Sequence, residues 1–506
     1  MLKMKEKTFF GQPMGLLSVF STGICERFSF YTMRAMLFLF LTAAFATGGF
    51  GMDRMEAMSI YGIYLGLVYV TPIIGGILAD KWLGQKICTY VGALLMAVGQ
   101  LSLAISAMFY AQEAFSSEVM ALKKYLLYAG LGLLIMGNGF FKPNVTAMVG
   151  AVYPENDARR DVGFTIFYMG INIGAFIAPF ASGFFGEQIG WKYGFLASVV
   201  GMFICLIVFY VSRTTTAGIG LPPKHPQGAM QLVRKDWFTI LYWTLGVVAL
   251  ILLIVFLLMY VPENIMNVAY WVLGLGVAAY ILSSVVKGTS GATQWSRVGV
   301  IFALAVFNIA FFAGFEQAGT TFTEFANVRT DRGFIPASLF QSINPLFVIL
   351  LGPVFSLLWT FLDKRKANPN TPMKFAISLL LLAGSFFIMA YAYNLTLGPD
   401  GEIVKVSAAW LLAVYCIQTC AELCMSPVGL SMVTKLSPAG IVNVLMGLWM
   451  GSIAIGNFMA QQMEKVAQAI APSMQSFEFI AWQSLVAGVL LMLLSPLLFR
   501  AMKGVQ

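Results

Sequence analysis

Charged side chains occur where the sequence is otherwise apolar. Six ionisable residues lie well inside long apolar segments: Glu26, Arg27, Arg34, Lys142, Glu316 and Glu422. The first three fall in the stretch GICERFSFYTMR, residues 23–34. A charge at the centre of a bilayer costs about 2.5–3.5 kcal/mol on insertion scales. Three acids and three bases therefore predict mutual pairing around a polar cavity or pathway.

Two of these pairs would join opposite halves of the chain. Arg34 and Glu316 lie in different halves, and so do Lys142 and Glu422. Such pairs can form in one conformation and break in another, which is how a gate would operate. The alternative is a static salt-bridge network that only holds the helices together.

Proline interrupts apolar segments next to these polar groups. Lys142 precedes Pro143, Asn344 precedes Pro345, and Ser426–Pro427 follows Glu422 by one helical turn. Proline leaves a helix carbonyl without its usual donor, which is tolerated only beside protein or water. Interrupted helices in both halves predict a central binding site.

The composition predicts an all-α polytopic membrane protein. Of 506 residues, 59% are hydrophobic and 10% are charged, against about 25% charged in soluble domains. The net charge of +9 does not predict nucleic-acid binding. With both termini on the cytoplasmic side, most of the 31 Lys and Arg residues fall inside, as the positive-inside rule requires.

The apolar segments predict about fourteen transmembrane helices in two six-helix bundles joined by a helix pair. The spans are 14–46, 54–80, 87–111, 124–150, 161–187, 190–212, 237–261, 267–287, 298–326, 336–362, 373–395, 407–435, 439–463 and 478–501. The predicted domains are a cytoplasmic tail 1–13, a bundle 14–213, a cytoplasmic linker 214–236, an inserted helix pair 237–290 and a bundle 291–502. Tandem six-helix halves are typical of secondary transporters.

The cysteines and the single histidine do not form a recognisable catalytic or metal-binding motif. Cys416, Cys420 and Cys424 recur on one helix face, where they either pack as small residues or form a thiol metal site; packing is the prediction, and no metal is expected. The one histidine, His225, lies in a loop-like stretch. No nucleophile–base pair or phosphate loop is evident, so a membrane enzyme is not predicted.

Several motifs together resemble the proton-dependent oligopeptide transporter family of the major facilitator superfamily. They are CERFSFYTMRAML, FFKPNVTAMVG, DVGFTIFYMGINIGAFIAP, FEQAGTTFTEFA, FQSINPLFVILLGP and AELCMSPVGLSMVTKLSP, in the family's order over about residues 15–460. The resemblance implies the major facilitator fold and proton symport of di- and tripeptides by alternating access, at a central site between the bundles. It implies protons as the coupling ion and no cofactor.

The resemblance also implies roles for particular residues. The peptide carboxylate would bind Arg27, Lys142 and Tyr31, and the peptide amine would bind Asn172, Asn344 and Glu422. The pocket would be lined by Phe30, Tyr69, Tyr168, Phe312, Ser426, Trp449 and Ser452. Proton coupling and gating would use Glu26, Arg34, Glu316, Lys142 and Glu422. A cytoplasmic motif would comprise Gly76, Asp80, Lys81 and Gly84.

The chain departs from the family pattern at Gly23, where the family usually has a glutamate associated with proton coupling. Phe30, Thr32 and Phe312 also differ from the usual Tyr, Gly and Trp. Coupling then rests on Glu316 and Glu26, or is weakened to give a peptide facilitator, or the substrate differs. Nitrate and peptide-like metabolites are the alternative substrates, and a channel or a sensor is the alternative class.

The expected location is a bacterial inner membrane, with several spans and both termini cytoplasmic. The N-terminal stretch MLKMKEKTFFGQP lacks a signal-peptide cleavage pattern. The expected partners are small peptides and lipid, without nucleic acid or an obligate protein partner.

Overall fold

The chain folds into two compact helical units. The computed structural model describes residues 8–9, 11–111, 115–154, 157, 159–222, 238, 242, 246, 249, 253, 279, 281–438 and 441–504. Unit 1 comprises Met1–Asp53 and Val70–Pro262, and unit 2 comprises Arg54–Tyr69 and Glu263–Gln506. Most of the predicted helix pair 237–290 and of the linker 214–236 lies outside the described residues.

Unit 1 is built from α1 to α6, although α2 gives its first part to unit 2. The helices are α1 Met14–Thr42, α2 Arg54–Leu78, α3 Gly84–Ser106, α4 Ser117–Ala151, α5 Arg159–Phe180 and α6 Trp191–Val211, with π-helical turns at Ala79–Leu83 and Ala181–Ile189. Before α1, β1 (Thr8–Phe9) pairs antiparallel with β2 (Gln12–Pro13). Helix α1 packs on α5 and α6, and α3 packs on α4 and α6.

Unit 2 is built around α7, α10 and α12. Its elements are α7 Gly291–Phe315, a 3-10 turn Glu316–Gly319, α8 Thr321–Val328, β3 Thr330–Asp331, a 3-10 helix Ala337–Ser342, α9 Ile343–Lys364, α10 Thr371–Asn394, β4 Val406–Ser407, α11 Ala409–Leu436, α12 Val442–Ile470 and α13 Ser476–Ala501. Helix α7 packs on α12, while α10 packs on α11 and α13. Strands β3 and β4 pair in parallel.

The helices present apolar faces outward as well as inward. Helix α6 exposes Val200, Phe203, Ile207 and Val211 at helical spacing, while its opposite face is buried. An outward apolar stripe of this size suits lipid rather than water. Within the described chain, ten helical segments are long and apolar enough to cross a membrane. The count of fourteen spans stays a prediction.

The predicted cytoplasmic motif forms the connection from α2 to α3. Gly84 adopts a left-handed φ of +75°, and a Cβ there would lie 2.6 Å from the backbone of Leu221. Only glycine fits this combination of conformation and close approach. The backbone N–H of Lys86 donates to the carbonyl of Gly220 at 2.9 Å, so the segment after α6 closes over the turn. Asp80 is exposed beside it.

The lysine at the start of α4 is wholly buried. The Nζ of Lys123 donates to the carbonyls of Gly48, Ser106 and Phe109 at 2.7, 2.9 and 3.3 Å. Its ammonium also lies 4.7 Å from the ring centroid of Phe50. These contacts tie the α1–α2 and α3–α4 connections to α4. The predicted span 124–150 began just after Lys123, so the burial of this lysine was not predicted.

A partly exposed carboxylate, that of Asp157, lies in the connection from α4 to α5. Asp157 accepts hydrogen bonds from the backbone N–H of Arg159 at 2.9 Å and from its guanidinium Nη2 at 2.7 Å. The side-chain hydrogen bond from Arg159 lowers the pKa of Asp157 from its ordinary value. A carboxylate just before a helix also complements the helix dipole.

Candidate functional site in each unit

In α1, the basic residue predicted to hold a carboxylate is already paired with its neighbour. Arg27 and Glu26 are 6% and 2% exposed. The Nε of Arg27 donates to Glu26 Oε2 at 2.5 Å, and Nη2 donates to Oε1. A guanidinium carries five donors, so this pair does not exhaust it. The arrangement places an acid directly against a buried base, so the two charges compensate each other.

Two aromatic rings and one amide group lie next to the Arg27–Glu26 pair. The guanidinium carbon of Arg27 lies 4.8 Å from the ring centroid of Phe30 and 5.9 Å from that of Tyr31. Arg34 lies 5.6 Å from the same Tyr31 ring. The buried Asn138 of α4 donates to Glu26 Oε1 at 3.4 Å. Asn138 was missed from the sequence, although it lies four residues before Lys142.

The position of Gly23 is filled by an aromatic ring from α5. A Cβ on Gly23 would lie 2.8 Å from Cε2 of Phe167, whose ring is buried. A glutamate at position 23 would therefore require Phe167 to move. The departure from the family pattern at Gly23 thus has a packing partner that the sequence did not reveal.

The other predicted binding residues of the first half of the chain lie on α2, α4 and α5. Lys142 is partly exposed and lies within α4, which continues through Pro143 as a helix. Asn172 is 9% exposed, and its Nδ2 donates to the backbone carbonyl of Tyr168 at 3.0 Å. Tyr168 is half exposed. Tyr69 is partly exposed on α2, at the last position that groups with unit 2.

In unit 2, the predicted amine-binding residues of α9 and α11 are joined directly. The Nδ2 of Asn344 donates to Glu422 Oε2 at 2.9 Å and to Thr419 Oγ1 at 3.1 Å. Glu422 and Asn344 are both partly exposed, as is Ser426 one turn further along α11. A carboxylate oriented by an amide and open to its surroundings suits an ammonium ligand.

Glu316 lies at a break between two helices. Helix α7 ends at Phe315, and Glu316 begins the 3-10 turn that leads to α8. Its side chain is 3% exposed, and its backbone carbonyl accepts a hydrogen bond from Gln461 Nε2 at 3.5 Å. The sequence predicted one span over 298–326 without this break. Arg34 lies in unit 1, and its pairing with Glu316 stays a prediction.

Several predicted pocket residues are buried in the packing of their own unit. Trp449 is 1% exposed and packs on Gly429 and on the ring of Phe375, with centroids 5.8 Å apart. Ser452 donates to the carbonyl of Trp449 at 2.6 Å. Phe30 and Phe312 are also buried. Their lining of a substrate pocket stays a prediction.

A second charged cluster lies at the start of α2 and was missed. The Nε of Arg54 donates to Glu324 of α8 at 2.6 Å, and Nη1 donates to Glu464 of α12. All three side chains are partly buried. Arg54 is the first residue of the predicted span 54–80, and only the folded structure shows that Glu324 and Glu464 lie next to it.

The cysteines of α11 are free thiols. Cys424 is buried, and Cys416 and Cys420 are partly exposed. Over the part of the chain that the structure describes, no group of three or more His, Cys, Asp or Glu side chains could hold a metal ion.

Long apolar helices and ionisable groups buried among them define an integral membrane protein. The POT family profile matches residues 87–480. The chain is 37% identical to the peptide transporter YePEPT of Yersinia enterocolitica, covering 90% of this chain and 88% of that protein. It is 33% identical to the di-/tripeptide transporter of Lactococcus lactis subsp. cremoris, covering 100% and 99%. A crystal structure of a mutant peptide transporter POT in complex with alafosfalin is similar, with a TM-score of 0.80, 34% identity and coverage of 99% and 98%. The chain belongs to the POT family.

Proposed function

We propose that this protein imports di- and tripeptides by proton symport through alternating access. Membership of the POT family supports peptide transport, and the named relatives are peptide transporters. Transport involves no covalent change to the substrate, so no enzymatic activity is proposed. The coupling ion is the proton, and no cofactor is required.

The chemistry of a free peptide matches the charges of the two units. Arg27, Lys142 and Tyr31 are proposed to hold the carboxylate, and Asn344 with Glu422 and Asn172 to hold the amine. The hydrogen bond of 2.9 Å from Asn344 to Glu422 carries this proposal, because it orients an acidic oxygen that a neutral or anionic substrate would not need. Binding the two ends leaves the peptide side chains free to vary.

Glu316 is the proposed proton carrier. Burial favours the neutral form of a carboxyl group, and a nearby arginine favours the charged form. If Arg34 pairs with Glu316 in one state and leaves it in the other, protonation and conformation become linked. Alternating access would then proceed with proton uptake at Glu316.

Uptake of labelled dialanine by proteoliposomes tests the proposal. The comparison is between an inward proton gradient with a negative-inside potential and no gradient. Accumulation above equilibrium only with the gradient is the expected result. Glu316→Gln should equilibrate dialanine without accumulating it. Normal accumulation by Glu316→Gln would contradict the assignment of the proton carrier.

A weakly coupled peptide facilitator is the second candidate. Residue 23 is glycine, so unit 1 lacks an acid at that position. The ring of Phe167 occupies the space in which a glutamate side chain would start. Dialanine equilibration without accumulation by the wild type would favour this candidate. No dialanine uptake, with transport of nitrate or of a peptide-like metabolite, would favour a different substrate.

The proposed location is the inner membrane of a bacterium, with both termini cytoplasmic. The distribution of Lys and Arg supports this orientation. Labelling of single cysteines at position 3 and at position 503 from each side of right-side-out vesicles would test it.

A further inference from the structure

Helices α7 and α12 pack side by side in a parallel arrangement that buries polar groups. Asn308 Nδ2 donates to Ser452 Oγ at 2.8 Å, and Gln317 Nε2 donates to the carbonyl of Ala460 at 2.5 Å. Partners advance together along both helices, so the helices run in the same direction. We call this contact the α7–α12 seam.

A close helix approach lies at the middle of the seam. A Cβ on Gly456 would lie 2.6 Å from Cβ of Phe312 and 3.1 Å from the carbonyl of Ile309. The glycine lets the two backbones come together, as small residues do at helix contacts in membranes. Polar pairs therefore lie on both sides of an apolar crossing.

Asn457 follows this glycine and is wholly buried. Its exposed fraction is 0%, and within the described residues neither its Oδ1 nor its Nδ2 has a hydrogen-bond partner. Buried side-chain amides are nearly always bonded to protein or to ordered water. A Leu side chain has nearly the same shape, so packing alone does not require an amide here.

The next polar group along α12 leads to Glu316. Gln461 lies one helical turn beyond Asn457, accepts a hydrogen bond from Thr320 Oγ1 at 2.8 Å and donates to the backbone carbonyl of Glu316 at 3.5 Å. Along α12, the buried Asn457 thus lies between Ser452, which is bonded to α7, and Gln461, which is bonded to the segment that carries Glu316.

We propose that Asn457 binds ordered water in the α7–α12 seam and so acts as a positioning residue for proton release from Glu316. This inference rests on the proposed proton symport. Water held at Asn457 accepts the proton that leaves the Glu316 carboxyl group and passes one on along the seam, leaving a carboxylate. A two-to-four-bonded buried water is the usual partner of such an amide.

The other ionisable groups of unit 2 near this segment belong to α2, α8 and α12. The hydroxyl group of Tyr61 lies against Gly319. Arg54 is bonded to Glu324 and Glu464. These three charges are paired with one another. Asn457 is neutral, so its replacement by Leu changes polarity without changing charge.

Asn457→Leu separates proton release from peptide binding. In counterflow, internal dialanine is exchanged for external dialanine, and the transporter returns with its proton still bound. Accumulation driven by a proton gradient requires release of that proton in each cycle. We expect Asn457→Leu to lower accumulation about tenfold or more while counterflow stays within about twofold of the wild type. Peptide-induced proton flux, read with a pH dye inside the proteoliposomes, should fall with accumulation.

Two further variants distinguish this role from a structural one. Asn457→Ser keeps a water-binding hydroxyl group and should recover part of the accumulation. Ser484→Ala is the matched control, since Ser484 is also buried in unit 2 with an Oγ that has no partner in the described chain, and it should leave the accumulation-to-counterflow ratio unchanged.

The outcomes that overturn the inference are distinct from failure of symport. Equal accumulation and proton flux in Asn457→Leu and wild type would overturn it alone. Parallel loss of accumulation and counterflow in folded Asn457→Leu would assign the residue a structural role and overturn it as well. If the wild type itself does not accumulate dialanine, the proposed symport and this inference both fail.

Discussion

The two units stabilise buried charges in different ways. In unit 1, Arg27 is bonded to the adjacent Glu26, and Lys123 is bonded to three backbone carbonyls. In unit 2, Glu422 accepts a hydrogen bond from the neutral amide of Asn344, and a separate cluster pairs Arg54 with Glu324 and Glu464. The contrast is therefore between the base Arg27, which is held by an acid, and the acid Glu422, which is held by an amide.

This difference bears on which unit can change its protonation state. An arginine paired with a carboxylate favours the ionised form of both groups. An amide can donate to a carboxylate or accept from a carboxyl group, so it accommodates either form. The proposed proton carrier Glu316 would place proton uptake and release in unit 2, whereas the proposed role of Arg27 in unit 1 is to bind the peptide carboxylate.

The largest expected effect comes from removing Arg27. Arg27→Ala leaves Glu26 buried without its ionic partner in α1, and breaking a buried pair costs about 3–5 kcal/mol. We expect a large fall in the melting temperature of the protein in detergent, together with loss of dialanine uptake.

The double variant Glu26→Gln/Arg27→Met separates structure from substrate binding. Removing both charges should recover much of the thermal stability, because no buried ion is left unpaired, but uptake should stay lost. Equal melting temperatures for the single and the double variant would show that Glu26 and Arg27 do not stabilise each other.

The second effect concerns Glu422, the acid of unit 2 that is proposed to bind the peptide amine. Glu422→Gln removes the negative charge but keeps the shape and the contact with Asn344. A hydrogen bond to a charged group contributes about 1.5–3 kcal/mol, so the affinity for dialanine should fall about tenfold to a hundredfold. Competition of labelled dialanine uptake by unlabelled peptide measures it.

A blocked peptide sharpens this test. The wild type should discriminate strongly against N-acetyl-dialanine, which lacks the ammonium group, and Glu422→Gln should discriminate much less. Unchanged discrimination in Glu422→Gln would remove Glu422 from the amine site.

The third effect tests the fixed charge at the start of α4. Lys123→Met keeps the aliphatic chain but removes the bonds to three carbonyls, which should cost about 1–3 kcal/mol. Lys124→Met is the matched control, because Lys124 is only partly buried on the same turn. Each variant removes one positive charge, so the two proteins have the same net charge. A similar small change in melting temperature for both would contradict the structural role of Lys123.

The sequence predicted well what depends on composition and period. The lengths of the apolar segments predicted the helices, and the order of the motifs predicted the family. The resemblance also placed Asn344 and Glu422 in one site, and the structure joins them by a hydrogen bond.

The sequence did not predict contacts that depend on tertiary packing. Nothing local marks the end of α7 at Phe315, the burial of Lys123, or the meeting of Arg54 with Glu324 and Glu464. The spacing of apolar residues along a helix likewise does not distinguish a tryptophan that lines a pocket from one that packs on another ring, as Trp449 packs on Phe375.

The smallest expected effect concerns Gly23, and it tests whether unit 1 can be given a titratable acid. Gly23→Glu places a Cβ 2.8 Å from the Phe167 ring, so it should lower the melting temperature, whereas Phe167→Ala opens space. The double variant Gly23→Glu/Phe167→Ala should be more stable than the two single effects predict, with a coupling of about 1 kcal/mol. Additive effects would mean that the ring does not exclude the side chain. If the coupled double variant also accumulates more dialanine under a proton gradient than Phe167→Ala, an acid in unit 1 adds to coupling, and the absence of that acid in the wild type leaves proton release to unit 2.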